Sequence, residues 1–296
     1  MKTILHLGYP KVMSKFLQID FFPKLKNVNY VNHYGSKYLL YHEIRKLIYN
    51  SSDKYFQNNV NSTRSKILKF IVSDKINLFS DEIYFWPNKI KYDNIIKRLK
   101  ELFNFNNNEL IILVFTRSQK SILRSMYSEN QNLFQDLDKN YDNYNYVLED
   151  FFVKENNNIE KINFFSCLDY NSVICKIKSD YNLKINSFSF ESIINNDSEV
   201  LKNISLLFDE NYLHIQKLLL QKPFHVTQKS ENNRMMLIKN NQLVNFVRKL
   251  MFFDTIKSIF PLKIKFIIKN FMYKISPKKL DINEKLELYI DKFYSK

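Results

Sequence analysis

The sequence predicts an α/β fold with a central parallel sheet covered by helices on both faces, three layers in all. Three observations lead there. Short apolar runs alternate with longer segments whose apolar residues recur at spacings of three and four. The run Leu110-Ile111-Ile112-Leu113-Val114-Phe115 is unbroken apolar, as a strand must be when helices cover both of its faces. Turn or acidic residues close several strands just where a helical pattern opens, which is the rhythm of βαβ units.

Taken in order, residues 3–8 form a first strand that ends in the turn Gly8-Tyr9-Pro10. A helical pattern follows over 14–22 and stops at Pro23, because proline cannot continue a helix. A second strand covers 27–31, and helical spacing returns over 38–50 and 61–73. Ile76-Asn77-Leu78-Phe79-Ser80 is a strand that ends at the acidic pair Asp81-Glu82. Helix is expected over 92–103, strand over 110–116 and helix over 120–130. Helices over 145–155 and 166–181, a strand over 185–190 and a helix over 197–208 complete the pattern. The stretches 104–108, 138–145, 156–163 and 228–233 are rich in Asn and read as loops. We therefore expect one α/β domain over 1–210 and a basic helical C-terminal extension over 211–296, packed on it.

The chain has 296 residues, of which 45% are hydrophobic and 16% aromatic. That is enough for a large buried core and excludes global disorder. Lys and Arg number 45 against 30 Asp and Glu, a net charge of +15. Such a surplus suits an anionic partner: a nucleotide, a phosphate- or sulfate-bearing ligand, a nucleic acid or an acidic membrane face. The abundant Lys, Asn, Ile, Phe and Tyr share A/T-rich codons, so base composition contributes to the charge as well. Cys167 and Cys175 are too few for a disulfide scaffold or an all-cysteine zinc site, and two reduced, packed thiols are expected. The five histidines, His6, His33, His42, His214 and His225, lack metal-ligand spacing. No run of about 18 uncharged apolar residues marks a membrane span. The apolar run at the start is too short for a signal peptide, so a cytoplasmic protein is expected.

Two segments carry chemistry. In His6-Leu7-Gly8-Tyr9-Pro10-Lys11-Val12-Met13-Ser14-Lys15-Phe16-Leu17-Gln18 a strand runs into a turn holding a lysine, and a helix then opens. Backbone N–H groups, a helix start and an ammonium converge there, which suits a phosphate. The glycine spacing of an NTP-binding P-loop is missing. In Thr116-Arg117-Ser118-Gln119-Lys120-Ser121-Ile122-Leu123-Arg124-Ser125 an arginine stands at the carboxyl end of the strongest strand, and a serine follows eight residues later on the next helix. Ligands of open α/β sheets bind at strand carboxyl ends, and a guanidinium matches phosphate oxygens with a planar fork.

The first segment resembles the 5′-phosphosulfate loop of sulfotransferases that use 3′-phosphoadenosine 5′-phosphosulfate (PAPS), roughly Y-P-K-[ST]-G-T-[ST] followed by x-[LI]-Q. The second resembles their 3′-phosphate motif, in the form R-x-Q followed by S-x-Y-S found in bacterial, glycan-type members. Phe79-Ser80-Asp81-Glu82 is similar to the S-x-E segment between the motifs. Leu168-Asp169-Tyr170, and later Phe188-Ser189-Phe190-Glu191-Ser192-Ile193, are similar to the family's later helix and its Y-E-x-L-like strand end. The resemblance spans roughly 2–208 and implies a P-loop-like α/β fold.

It also implies roles. Lys11 aligns with the lysine on the bridging oxygen of the phosphosulfate, and Ser14 with the hydroxyl donor to the 5′-phosphate. Tyr9, Pro10, Val12, Met13 and Lys15 complete the loop, and Arg117 with Ser125 would hold the 3′-phosphate. The donor would be PAPS, leaving as PAP, with no metal. The acceptor would be a hydroxyl of a glycan or glycolipid. Family members use Glu or His as the general base. Glu82 is the first choice by position, ahead of His42, Asp81 and His33. Two departures stand out: Met13 replaces the loop glycine and Lys15 the second hydroxyl. They support a second reading, a catalytically degenerate member of the fold that binds a nucleotide or other anion without turnover.

Arg124 reads as a surface residue, His6 as a packed core histidine, Glu191 as structural and Tyr170 as core. No helix-turn-helix, zinc-finger or RNA-recognition signature supports a nucleic-acid partner. The segment 243–279 is basic and amphipathic. It fits either helices packed with lysines outward or peripheral contact with an anionic membrane face on the cytoplasmic side.

Overall fold

The computed structural model describes residues 1–9, 11–32, 38–50, 52–82, 92–105, 108–129, 148–149, 167–220, 236–238, 277–279 and 283–294. Chain contacts divide it into two compact units, Met1–Ile122 with Glu155–Phe224, and Leu123–Lys154 with His225–Lys296.

The first unit is built on five strands: β1 (Lys2–Leu7), β2 (Val28–Val31), β3 (Ile76–Asp81), β4 (Glu109–Thr116) and β5 (Lys184–Ser189). All neighbours pair in parallel, in the order β2-β3-β1-β4-β5. This all-parallel sheet bears out the P-loop-like α/β class. The strands are where the apolar runs are. β3 is buried along its whole length, and β4 from Ile111 to Phe115.

The strand order decides the layers. From β1 the chain moves outward to β2, and from β2 onward it moves back across the sheet. Right-handed crossovers then place the β1–β2 connection on one face and the later connections on the other. The first connection is α1 (Ser14–Phe16), which runs on as a π-helical turn (Leu17–Phe21) and a 3-10 turn (Phe22–Lys24). The other face carries α2 (Tyr38–Arg45), α3 (Asp53–Leu68), α4 (Tyr92–Leu102) and α6 (Tyr170–Ser179); α5 (Gln119–Glu129) opens directly after β4. After β5 come α7 (Phe190–Ile194), α8 (Ser198–Phe208) and α9 (Tyr212–Leu219). Phe208 of α8 meets Phe21 and Phe22, so α8 returns to the face of α1. On the opposite face Tyr181 donates to the Asp93 carbonyl of α4 at 2.9 Å.

Helix 3 starts eight residues before the expected 61. Its N-cap is Ser52, whose hydroxyl accepts from the Tyr55 N–H at 3.2 Å. Apolar residues are sparse over its first turns, so periodicity does not mark the start, but the cap does. The expected helix over 145–155 lies outside the described residues except for Leu148 and Glu149, as does most of the segment 243–279.

In the second unit α5 continues from Leu123, and α10 (Glu284–Tyr294) is capped by Asn283, whose side chain accepts from the Lys285 N–H at 3.1 Å. Two short strands, β6 (Met236–Ile238) and β7 (Pro277–Lys279), pair antiparallel, where helix was expected. Arg124 is not simply a surface residue. Its guanidinium forms a bidentate ion pair with Glu287, which is buried. A buried carboxylate requires such a partner.

Candidate functional site

The site is built at the carboxyl ends of β1, β3 and β4. The connection from β1 leaves toward β2 and that from β4 toward β5, so the crevice between β1 and β4 is the switch point of the sheet, the place where open α/β sheets bind ligands. Both sequence motifs open there. The chain from Leu7 leads into the Lys11 loop, and the chain from Thr116 into Arg117.

The Lys11 loop is tightly wound. Lys11 and Met13 both take left-handed backbone angles, with φ 64° and 43°. A left-handed residue between ordinary ones turns successive N–H groups to one side, which makes a concavity for an anion. Met13 thus adopts the conformation for which glycine is usual; its Cβ does not unwind the turn. Its carbonyl accepts the first helical bond, from the Leu17 N–H at 3.0 Å. Ser14 is buried, and its hydroxyl donates to the Tyr9 carbonyl at 3.1 Å. Tyr9 and Val12 are buried with it, so their side chains support the loop from below, whereas Lys15 is exposed. Pro10 lies outside the described residues.

Glycine at position 8 matters for close approach. A Cβ there would stand 2.9 Å from the Glu82 Cα and 3.0 Å from the Ser14 Oγ. The Gly8 N–H donates to the Asp81 carbonyl at 2.9 Å. The end of β3 is therefore drawn against the loop, and Glu82 and Ser14 flank the same point. The neighbouring carboxylate is committed elsewhere. Asp81 is buried and takes Arg45 on both oxygens, at 2.7 and 2.9 Å. Asp81 is thereby removed as a candidate base. His42 is exposed on α2, with Tyr38 at 6.4 Å between ring centroids. His33 lies outside the described residues.

Arg117 reaches across the crevice. Its Nη1 donates to the Lys11 carbonyl at 3.0 Å. Its guanidinium lies over the Phe190 ring, 5.1 Å from the centroid, and its own carbonyl accepts from the Tyr170 hydroxyl at 2.8 Å. Burial lowers the affinity of the guanidinium for its proton, and Glu191 works against that shift. Arginine is still charged under any such perturbation. Glu191 accepts from the Ser118 N–H at 3.0 Å and from the Ser189 hydroxyl at 3.1 Å, so it caps the start of α5. Ser125 is buried in the part of α5 that belongs to the second unit.

Beneath the site runs a buried polar chain. His6 Nδ1 and Ser80 Oγ are 2.7 Å apart, and Gln18 Nε2 donates to the same Oγ at 3.0 Å. The Ser80 N–H donates to the Tyr41 hydroxyl at 3.1 Å, and that hydroxyl in turn donates to the Val31 carbonyl. His6 is packed as expected, edge-on to Phe22 and Phe115. Burial without a counter-charge pulls its pKa down to about 3. Cys167 is buried and its thiol is pushed up to about 12 by desolvation, whereas Cys175 is exposed rather than packed; neither is in a disulfide.

Tyr170, Phe190 and Glu191 take a larger part here than their sequence context announces. Aromatics are so frequent in this chain that none stands out. The signals for the last two are their place just past the end of β5 and their likeness to the Y-E-x-L-like strand end, neither of which announces a contact with Arg117 or Ser118.

No family model and no curated protein matches the chain. The solved structures similar to it include two sulfotransferase domains. One is the sulfotransferase domain from the Synechococcus PCC 7002 olefin synthase, 12% identical over 76% of this chain and 78% of that chain, with a TM-score of 0.40. The other is the sulfotransferase domain from the curacin biosynthetic pathway, 13% identical over 75% of this chain and 77% of that chain, with a TM-score of 0.37.

Proposed function

We propose that this protein transfers a sulfuryl group from PAPS to a hydroxyl of a glycan or glycolipid acceptor. One observation carries the reading. Two motifs separated by 106 residues meet at the switch point, with the Arg117 guanidinium on the Lys11 carbonyl. The guanidinium and the backbone of the lysine loop therefore border one crevice, which supports a ligand with an anionic group at each. A left-handed loop for one of those groups supports the same reading.

In this reading the loop amides and Ser14 hold the 5′-phosphate, and Arg117 with Ser125 holds the 3′-phosphate. Glu82 takes the proton from the acceptor hydroxyl. The acceptor oxygen forms a bond to sulfur as the bond from sulfur to the bridging oxygen breaks, and that oxygen leaves with the electron pair on PAP. Lys11 meets the negative charge that grows on the leaving oxygen, so it stabilises the transition state more than the ground state. Lysine, arginine and amides supply the positive charge.

The test is calorimetric titration with PAP beside ATP, followed by transfer assays of Lys11→Ala and Arg117→Ala. PAP is expected to bind well over ATP. Both variants should lose transfer by at least about a hundredfold, the scale of a lost charge-stabilising donor, while remaining folded. Unchanged transfer in either variant sinks the assignment. A second reading, anion binding without turnover, is favoured by Ser14, whose hydroxyl is turned into the loop toward the Tyr9 carbonyl. It predicts PAP binding with no transfer to any hydroxyl acceptor.

A further inference from the structure

We infer that Arg117 is also a positioning residue for the β1 loop: its guanidinium, fixed by Phe190 and Tyr170, holds the Lys11 carbonyl and keeps left-handed Lys11 in place. The consequence for ligands rests on the function proposed above. The clasp itself rests on geometry alone.

Lys11 takes φ 64° with no glycine to ease it. A side chain in that region persists only where its surroundings hold it. The hold is visible. The Nη1–carbonyl bond of 3.0 Å pins the peptide that follows Lys11. Arg117 is itself immobilised at both ends. The Tyr170 hydroxyl fixes its carbonyl at 2.8 Å, and Phe190 supports its guanidinium from one side. The Tyr170 ring also packs edge-on against Tyr9, with centroids 4.9 Å apart at 72°. The residue that enters the loop and the residue that clasps it therefore rest on one tyrosine.

A guanidinium has five N–H donors in a rigid fork, so it can hold a carbonyl and meet an anion at once. The two anion subsites are then coupled. Removing Arg117 weakens a ligand whose only phosphate lies in the Lys11 loop, although that ligand never touches Arg117. A lysine would keep the charge but not the fork.

The first measurement is hydrogen exchange of the ligand-free full chain, read over residues 9–17, in wild type, Arg117→Ala, Arg117→Lys and Tyr170→Phe. Residues 184–189 of β5 report that the fold is intact. Exchange over 9–17 should rise in all three variants, with 184–189 unchanged. If Arg117→Ala does not fold, Arg117→Lys decides; unchanged exchange over 9–17 in a folded Arg117 variant overturns the clasp. The second measurement compares PAP with adenosine 5′-phosphate, which lacks the 3′-phosphate. Arg117→Ala should weaken both by at least about fivefold, the lower end of measurable site coupling. A loss for PAP with adenosine 5′-phosphate unchanged overturns the coupling and leaves the proposed function standing. Wild type that binds no PAP sinks the proposed function, and the exchange experiment still decides the clasp.

Discussion

Met13 bears the most unusual local geometry of the candidate site. A non-glycine side chain at φ 43° stands at a cost of about 1–2 kcal/mol relative to an ordinary conformation. Met13→Gly removes that cost, offset in part by the greater freedom of glycine in the unfolded chain. We expect a net gain of roughly 0.5–1 kcal/mol, read as a higher urea midpoint; a lower midpoint would mean that the Met13 side chain contributes more by packing than its backbone costs. Arg45 offers the opposite case. It is the two-point partner of buried Asp81. Arg45→Ala leaves a carboxylate in the interior without its cation, and such truncations cost about 3 kcal/mol. Chemical denaturation measures this directly, and a loss below about 0.5 kcal/mol would show that Asp81 finds another partner.

At the scale of elements, the site depends on how closely β1 and β3 end together. Gly8→Ala places a Cβ at 2.9 Å from the Glu82 Cα, and backbone, not a flexible side chain, must give way. We expect a loss of about 1–3 kcal/mol, together with weaker PAP binding because the loop and Glu82 part company. Equal stability and equal binding would show that the two strand ends yield freely. The N-cap of α3 supplies a control remote from the loop. Ser52→Ala removes the acceptor for the Tyr55 N–H and should cost about 1 kcal/mol with PAP binding unchanged. Strand β4 was plain from its apolar run, because burial on both faces from Ile111 to Phe115 leaves no polar position to blur the pattern. The start of α3 was not plain from periodicity, because its first turns are mostly polar and the helix there is held by its cap.

At the scale of the whole molecule, His6 sets an acid limit. It sits in the central strand with a folded pKa of about 3, against about 6.5 in the unfolded chain. Between those values the unfolded state holds one more proton. Stability from this group is therefore complete above about pH 6.5 and falls by about 1.4 kcal/mol per pH unit as the pH drops toward 3. His6→Gln should flatten that slope by one proton between pH 4 and 6 in urea unfolding, and an unchanged slope would place the acid sensitivity elsewhere. The net charge of +15 also bears on the whole surface. Affinity for PAP is expected to weaken with added salt, since exposed charges are screened over about 10 Å at 0.1 M.

The sequence by itself determined the α/β class, the succession of strands, and the two strand-to-helix corners where Lys11 and Arg117 stand. Those are local properties: apolar runs, turn residues, and a cation just past a strand. Only the tertiary structure decided what each side chain does at those corners. It paired Asp81 with Arg45 and drew the backbone of Glu82 against Gly8 at the start of the loop. It gave Arg124 to Glu287, 163 residues away. It set Arg117 on the Lys11 carbonyl and put Tyr170 under both motifs. Charge type and spacing say that a group can form an ion pair or hold an anion. Which of the two it does depends on which partner the sheet order brings within hydrogen-bonding distance, and that order joins residues too far apart for any local pattern to reveal.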